Sequence, residues 1–266
     1  MSVILFRQLF VVGVASAILI LPAQFEVVSI KRNKSNAPES YIRPSTGRLS
    51  IRNMSVKNLL RTAYGFRDSQ ISGAPAWIDS ENYDIEATAD GKATPRQMTQ
   101  PMLQSLPEER FKLRAHQVTK ELPVYVLTVA NRGPNLQPSA QQICVPFDPE
   151  NPLLPTAPGR NPNEICGSIG LGLTSLNGQQ VTIAALAMAF SHLLGRTVID
   201  NTNLAGEFDA KLRFAPTGSV PNGAVVDPAL PDILTAVREQ LGLKLESGNG
   251  PVEILVIDHV ERPSEN

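Results

Sequence analysis

The stretch Arg48–Ala89 reads as strand, helix, strand, turn and strand, and the chain writes the same order again from Leu171 onward. The helix of the first copy is the clearest part. Ser55 suits an N-cap, and Val56, Leu59, Leu60, Ala63 and Tyr64 follow at i, i+3, i+4, i+7 and i+8, a single apolar stripe that Gly65 terminates. In the second copy Thr182 takes the capping position, and Gly195 ends a helix carrying Ile183, Leu186, Ala187, Phe190, Leu193 and Leu194. Three anchors register the halves. Ser55 stands 127 residues before Thr182, Tyr83-Asp84 stands 125 before Phe208-Asp209, and Pro123 stands 128 before Pro251. One nearly constant offset across three motifs is the signature of an internal duplication.

The remaining elements fill in the unit. Phe25 to Ile30 alternates as a first strand, and Asn33 to Thr46 is polar and reads as a loop. Thr94-Pro95 opens a helix with Met98, Met102, Leu103 and Leu106 facing inward, which Pro101 and Pro107 kink or divide into two short pieces. Phe111–Thr119 and Val124–Ala130 read as a strand pair turning through Lys120–Pro123. A helix near Asp232, ended by Gly242, precedes a matching pair, Leu243–Glu246 and Val252–Val260, turning through Ser247–Gly250. The class is therefore α+β: internally duplicated strand-helix-strand-strand-helix-strand-strand units, with helices packed on mixed or mostly antiparallel sheets. The divisions fall at 24–130 for the first repeat with its extra N-terminal strand, 131–165 for a Pro-rich linker and 166–266 for the second repeat.

Residues 1–23 form a separate segment. Arg7 precedes an apolar run from Leu9 to Leu21, shorter than the roughly 20 residues a membrane span needs, so the segment reads as a signal peptide cleaved near Gln24. An uncleaved anchor is the alternative. The expected location is outside the cytoplasm, periplasmic or extracellular, with no membrane span after cleavage. Cys144 and Cys166 fit one disulfide in such a compartment. They are too far apart for a CxxC redox pair and too few for a zinc site. A formal net charge of −1 and the absence of a long basic block argue against nucleic acid as a partner.

Motifs that carry chemistry are missing. The three histidines, His116, His192 and His259, form neither HExxH nor an i, i+4 pair, and GxSxG, SxxK and phosphate-binding glycine patterns are absent. No cofactor or metal is called for. Asp258 sits in an apolar strand, where a buried acid with a shifted pKa would mark an active site. An acid near a strand end more often caps a turn or reaches water. Asp200 and Thr202, in IDNTNLAGEFD, offer oxygen ligands from a tight turn, or satisfy that turn's own backbone. Trp77 and Asp79 lie in a loop between two strands. The ring there is either a binding anchor or a plug at the edge of a core. These four, Trp77, Asp79, Asp200 and Thr202, are the candidate binding residues.

With these motifs set out, the mature chain resembles the "soil-associated" family of exported bacterial proteins of unknown function. The likeness rests on FEVVSIK at 25–31, RLSIRNMSVKNLLRTAYG at 48–65, ISGAPAWIDSENYDIEA at 71–87, ERFKLRAH at 109–116, ELPVYVLTVA at 121–130, GRTVIDNTNLAGEFD at 195–209 and GPVEILVIDHVERPSEN at the C-terminus. Pro101, Pro107 and Asn203-Leu-Ala depart from the family pattern. The resemblance implies no activity and no catalytic residue. The same domain occurs fused to membrane metallopeptidases similar to beta-lactam sensors, which implies a sensing or binding role. The helix–GLKLE–turn–VEILVI unit also resembles the short N-terminal domain of secretins and TonB-dependent receptors, which bind other proteins. The expectation is a non-enzymatic module for a protein, peptide or envelope ligand. An exported hydrolase using distant residues such as Asp258, His259 and His116 is the alternative, and a structural envelope component is a third. Oligomeric state is left open.

Overall fold

A computed structural model describes residues 24–35, 39–91, 93–139, 165–220 and 226–264. In chain order the elements are β1 (Val27–Asn33), β2 (Tyr41–Ser45), β3 (Arg48–Ser55), α1 (Val56–Tyr64), β4 (Ile71–Ser72), α2 (Trp77–Ser80), β5 (Asn82–Thr88), α3 (Pro95–Thr99), α4 (Pro101–Arg110) and β6 (Arg114–Val129). They continue as β7 (Gln137–Pro138), β8 (Ile169–Leu171), β9 (Ser175–Val181), α5 (Ile183–Leu194), β10 (Val198–Asp200), β11 (Phe208–Arg213), α6 (Ile233–Leu241) and β12 (Leu243–His259). The class is α+β, as the alternation of strand pairs with single helices implies.

Among the described residues three four-stranded sheets carry the fold: β1-β5-β3-β2, β7-β11-β9-β8 and, between them, β10-β6-β12-β4. The first two have the same plan, two long inner strands with a hairpin partner outside. Each contains an irregularity held the same way. Asn53 (φ 50°) and Gln180 (φ 51°) adopt a left-handed backbone, and their N–H groups donate to Asp84 Oδ1 at 2.9 Å and Asp209 Oδ1 at 3.1 Å. Burial acts to raise the Asp84 carboxyl. Hydrogen bonds from Asn33, from the Asn53 N–H and from Arg52 outweigh it and hold the group below its ordinary value.

Each lobe has its own core. The first gathers Leu49, Ile51, Leu59, Leu60, Ile85, Leu103 and Phe111, and the second Leu176, Leu186, Phe190, Leu212, Val237 and Leu243. The apolar stripe of α1 is buried as its spacing requires, and each fully buried aliphatic side chain contributes about 1.5–3 kcal/mol. Ser55 accepts from the Asn58 N–H and Thr182 from the Ala185 N–H, so both expected caps are in place. The proline-divided segment forms two helices meeting at Gln100, with Met98, Met102, Leu103 and Leu106 buried.

Three sequence expectations need correction. The hairpins expected at Lys120–Pro123 and Ser247–Gly250 do not form. Instead β6 and β12 run unbroken and pair antiparallel along their whole length, Leu243 opposite Val129 through His259 opposite Arg114. The turn-forming residues all lie at the middle of this ribbon. The N–H of Tyr125 points away from β12, to the carbonyl of Thr197. Pro123, two residues earlier, has the same orientation, so its missing N–H costs no bond to β12. Gly250 faces Leu122, and a Cβ there would come within 2.6 Å of Ile199 Cδ1, so the glycine serves close packing rather than a turn. Next, the expected loop Asn33–Thr46 contains β2, paired with β3. Lastly, the expected linker contains β7, which pairs with β11 and follows the buried Leu136.

The ribbon exchanges the ends of the two halves. Leu127 of β6 enters the second core, and Ile257 of β12 enters the first. The expected signal peptide, most of the linker and Cys144 of the expected Cys144–Cys166 bond lie outside the described residues.

Candidate functional site

The four candidate binding residues divide between opposite edges of the central sheet. Trp77 and Asp79 follow the edge strand β4, and Asp200 ends the other edge strand, β10. Trp77 is half-buried against the first core, and the Arg262 guanidinium lies over its ring at 5.0 Å from the centroid. Arg262 also holds Glu81, with Nη2 2.9 Å from Oε1, and Arg32 reaches the same oxygen at 3.2 Å. The hydrogen bond from Arg262 holds the Glu81 carboxyl below its ordinary value against the opposing effect of burial. Tyr83 donates to Glu81 at 3.1 Å, and burial and this carboxylate push its phenol up to about 12. Trp77 therefore belongs to a clamp between the C-terminal segment and the first lobe. Asp79 is exposed and pairs with Lys57 Nζ at 3.0 Å.

Asp200 and Thr202 satisfy their own turn. Asp200 Oδ1 accepts from the Thr202 N–H at 2.9 Å and its hydroxyl at 2.8 Å, and Thr202 Oγ1 accepts from the Leu204 N–H. Asp258 is half exposed rather than buried. The pairing slips between Ile257 and His259, freeing its carboxylate to meet His116 Nδ1 at 2.8 Å. His259 Nε2 lies 2.8 Å from Glu261 Oε1, beside a shallow depression of about 490 Å³ with Lys112 and Arg114. His192 lines a different cavity on α5. His116 and His259 thus lie near one end of the β6–β12 ribbon, each against its own carboxylate, and His192 stands on α5. Among the described residues no group of three or more His, Cys, Asp and Glu is arranged to hold a metal ion.

The sequence reading missed a cluster where the lobes meet. Gly65 (φ 72°) ends α1 and turns Phe66 into the core, while Arg67 crosses towards the second lobe. Gly195 (φ 64°) ends α5 in the same way and delivers Arg196 and Thr197. Arg67 Nη2 donates to Thr197 Oγ1, joining the two segments. The Arg67 Nε is buried with no hydrogen-bond partner among the described residues, and burial pulls the guanidinium below its ordinary pKa. Arginine keeps its charge regardless, so a half-buried cation stands here without a carboxylate partner among the described residues.

Cavities open on either side of Arg67. One, of about 460 Å³, is bounded by Asn58, Arg61 and Thr62 of the first lobe and by Met188 and His192 of the second. Met188 is 75% exposed, an apolar side chain held at the mouth. The other, of about 240 Å³, has Arg67, Arg196, Ser69 and Thr197 in its walls, over Leu122, Pro123 and Val252. Among the described residues no aspartate or glutamate lines either cavity. Arg61 is compensated by Asp68 at 2.9 Å, whereas Arg196 stacks over the Tyr125 ring at 5.1 Å. The arrangement offers donors and positive charge at the cavity walls. The signal in the sequence was the parallel of Gly65-Phe-Arg67 with Gly195-Arg-Thr197, legible only once the glycines are known to end helices that face one junction.

Residues 57–260 match the family described as a protein of unknown function (DUF3738), and they include Arg67, Arg196 and Thr197 of the junction. The chain belongs to this family. No curated protein and no solved structure matches. Among the described residues no helix is long and apolar enough to cross a membrane.

Proposed function

We propose that this DUF3738 protein is an exported, non-catalytic binding or sensing module that holds a protein, peptide or envelope ligand at the junction between two lobes derived from one duplicated unit. The observation that carries the reading is Arg67, a half-buried cation that borders both junction cavities and has no carboxylate partner among the described residues. A folded protein ordinarily pairs such a charge, so an unpaired one at a cavity wall points to an anionic group arriving from outside. Support for the duplication comes from the common plan of the outer sheets and the matching Asp84–Asn53 and Asp209–Gln180 bonds. Export rests on the apolar run at 9–21, the two cysteines and the resemblance to an exported family. The Cys144–Cys166 bond belongs to the same reading.

Cross-linking tests the location. A photoreactive residue replacing the exposed Met188, in protein expressed in its native envelope, should yield a discrete ligand adduct. The same residue replacing Val27, on a distant exposed edge, should yield none. Equal labelling from both positions would remove the junction as the site.

A further inference from the structure

We propose that the smaller junction cavity is a carboxylate pocket, built to take a carboxylate carried on a small aliphatic group. The inference rests on the junction being the ligand site and adds the class of group recognised. Arg67 and Arg196 approach this cavity from the two lobes, and neither has a carboxylate partner among the described residues. The planar guanidinium fork suits a planar two-oxygen anion better than a lysine ammonium would. Thr197 and Ser69 add hydroxyl donors beside the two guanidinium groups. Leu122, Pro123 and Val252, from the centre of the β6–β12 ribbon, add apolar lining, with the Gln70 amide beside them donating to the Glu253 carbonyl.

The mixed lining bears on which anion fits. A free phosphate presents oxygen on every side and would set some of them against the apolar Leu122, Pro123 and Val252 side chains. A carboxylate has its charge at one end and a carbon substituent at the other, matching a lining of both cationic and aliphatic side chains. A volume of about 240 Å³ admits a carboxylate with a few carbons and excludes a folded domain. A macromolecule would reach the pocket by a protruding group and not by a folded surface, and a chain terminus with an aliphatic last residue fits both kinds of lining. Two sources share this chemistry: a free small organic acid and the C-terminus of a peptide ending in an aliphatic residue.

The probes are N-acetyl-Ala-Ala-Val with a free carboxyl terminus, its C-terminal amide, isobutyrate and inorganic phosphate. Each is titrated into the mature protein while the backbone amides of Ser69 and Thr197 are followed by NMR. The free-acid peptide should shift both resonances and saturate, and the amide should bind at least tenfold more weakly. Arg196→Gln, at an exposed position outside both cores, should keep the fold and weaken the free acid at least tenfold. Arg238→Gln, on the exposed face of α6, should leave binding unchanged. Isobutyrate as tight as the peptide identifies a small acid as the source. A peptide tenfold tighter than isobutyrate identifies a chain terminus, and both outcomes support the pocket. Equal binding of acid and amide, no shift at either resonance, unchanged affinity in Arg196→Gln, or phosphate outcompeting isobutyrate would each overturn it. The acid–amide comparison uses the unaltered protein, so it holds even if a variant fails to fold. A Met188 adduct together with equal acid and amide binding would leave the junction reading standing and remove only the carboxylate.

Discussion

Three glycines end helices in this chain with nearly the same backbone, Gly65 at φ 72°, Gly195 at φ 64° and Gly242 at φ 64°, yet replacing them should have very different consequences. A Cβ on Gly65 or Gly195 would meet nothing within 4 Å, so alanine there costs only the left-handed conformation, about 1 kcal/mol. A Cβ on Gly242 would lie 2.3 Å from the Gly133 carbonyl oxygen, 2.6 Å from the Asn135 nitrogen and 3.0 Å from the Pro134 carbonyl carbon. These are backbone atoms and cannot rotate away. They are also fixed in place, since Asn135 donates to the Leu241 carbonyl and Ala130 to that of Gly242. Displacing that segment adds an overpacking cost of roughly 1–3 kcal/mol and strains both bonds, for a total of roughly 3–5 kcal/mol. Urea denaturation with linear extrapolation should therefore place Gly65→Ala and Gly195→Ala close together and Gly242→Ala at least 2 kcal/mol below them, a margin of about the size of the overpacking cost. A Gly242→Ala protein as stable as Gly65→Ala would refute the close approach of the 130–135 segment to the end of α6.

The Glu81–Arg262 clamp should show in the acid limb of stability. The folded carboxyl lies below its unfolded value, so its contribution is complete above about pH 4.3 and is lost as pH falls through the depressed folded pKa. In urea titrations Glu81→Gln should flatten that part of the profile, and an unchanged slope would show that other carboxylates set it. Trp77→Ala should cost roughly 2 kcal/mol, below the 3–5 of a fully buried ring, because the indole is only half-buried and stacked under Arg262. A loss confined to ligand capture, with an unmoved melting temperature, would restore the ring as a binding anchor. In exported protein unfolded without reductant, thiol titration should find neither Cys144 nor Cys166 free, and reduction should lower stability by about 3 kcal/mol. Two titratable thiols would refute the bond.

Local chemistry was legible from the sequence because its causes are local. The caps Ser55, Thr182 and Asp232, the terminators Gly65, Gly195 and Gly242, the break at Pro101 and the buried stripes all follow from which residues lie within one or two turns of each other. The shared offset between the halves was visible for the same reason. What the tertiary structure decided was the fate of Lys120–Pro123 and Ser247–Gly250. Proline, glycine and asparagine are turn formers in isolation, but here each stretch lies opposite the other, and a continuous partner strand offers more hydrogen bonds than a tight turn. That Asp258 reaches water was the commoner expectation for an acid near a strand end, but its partner His116, 142 residues away, was set by the pairing of β6 with β12. The junction was out of reach for a deeper reason. Arg67 and Thr197 are 130 residues apart and ordinary by type, and only the tertiary fold brings them into contact, leaving at a cavity wall a guanidinium with no carboxylate partner among the described residues.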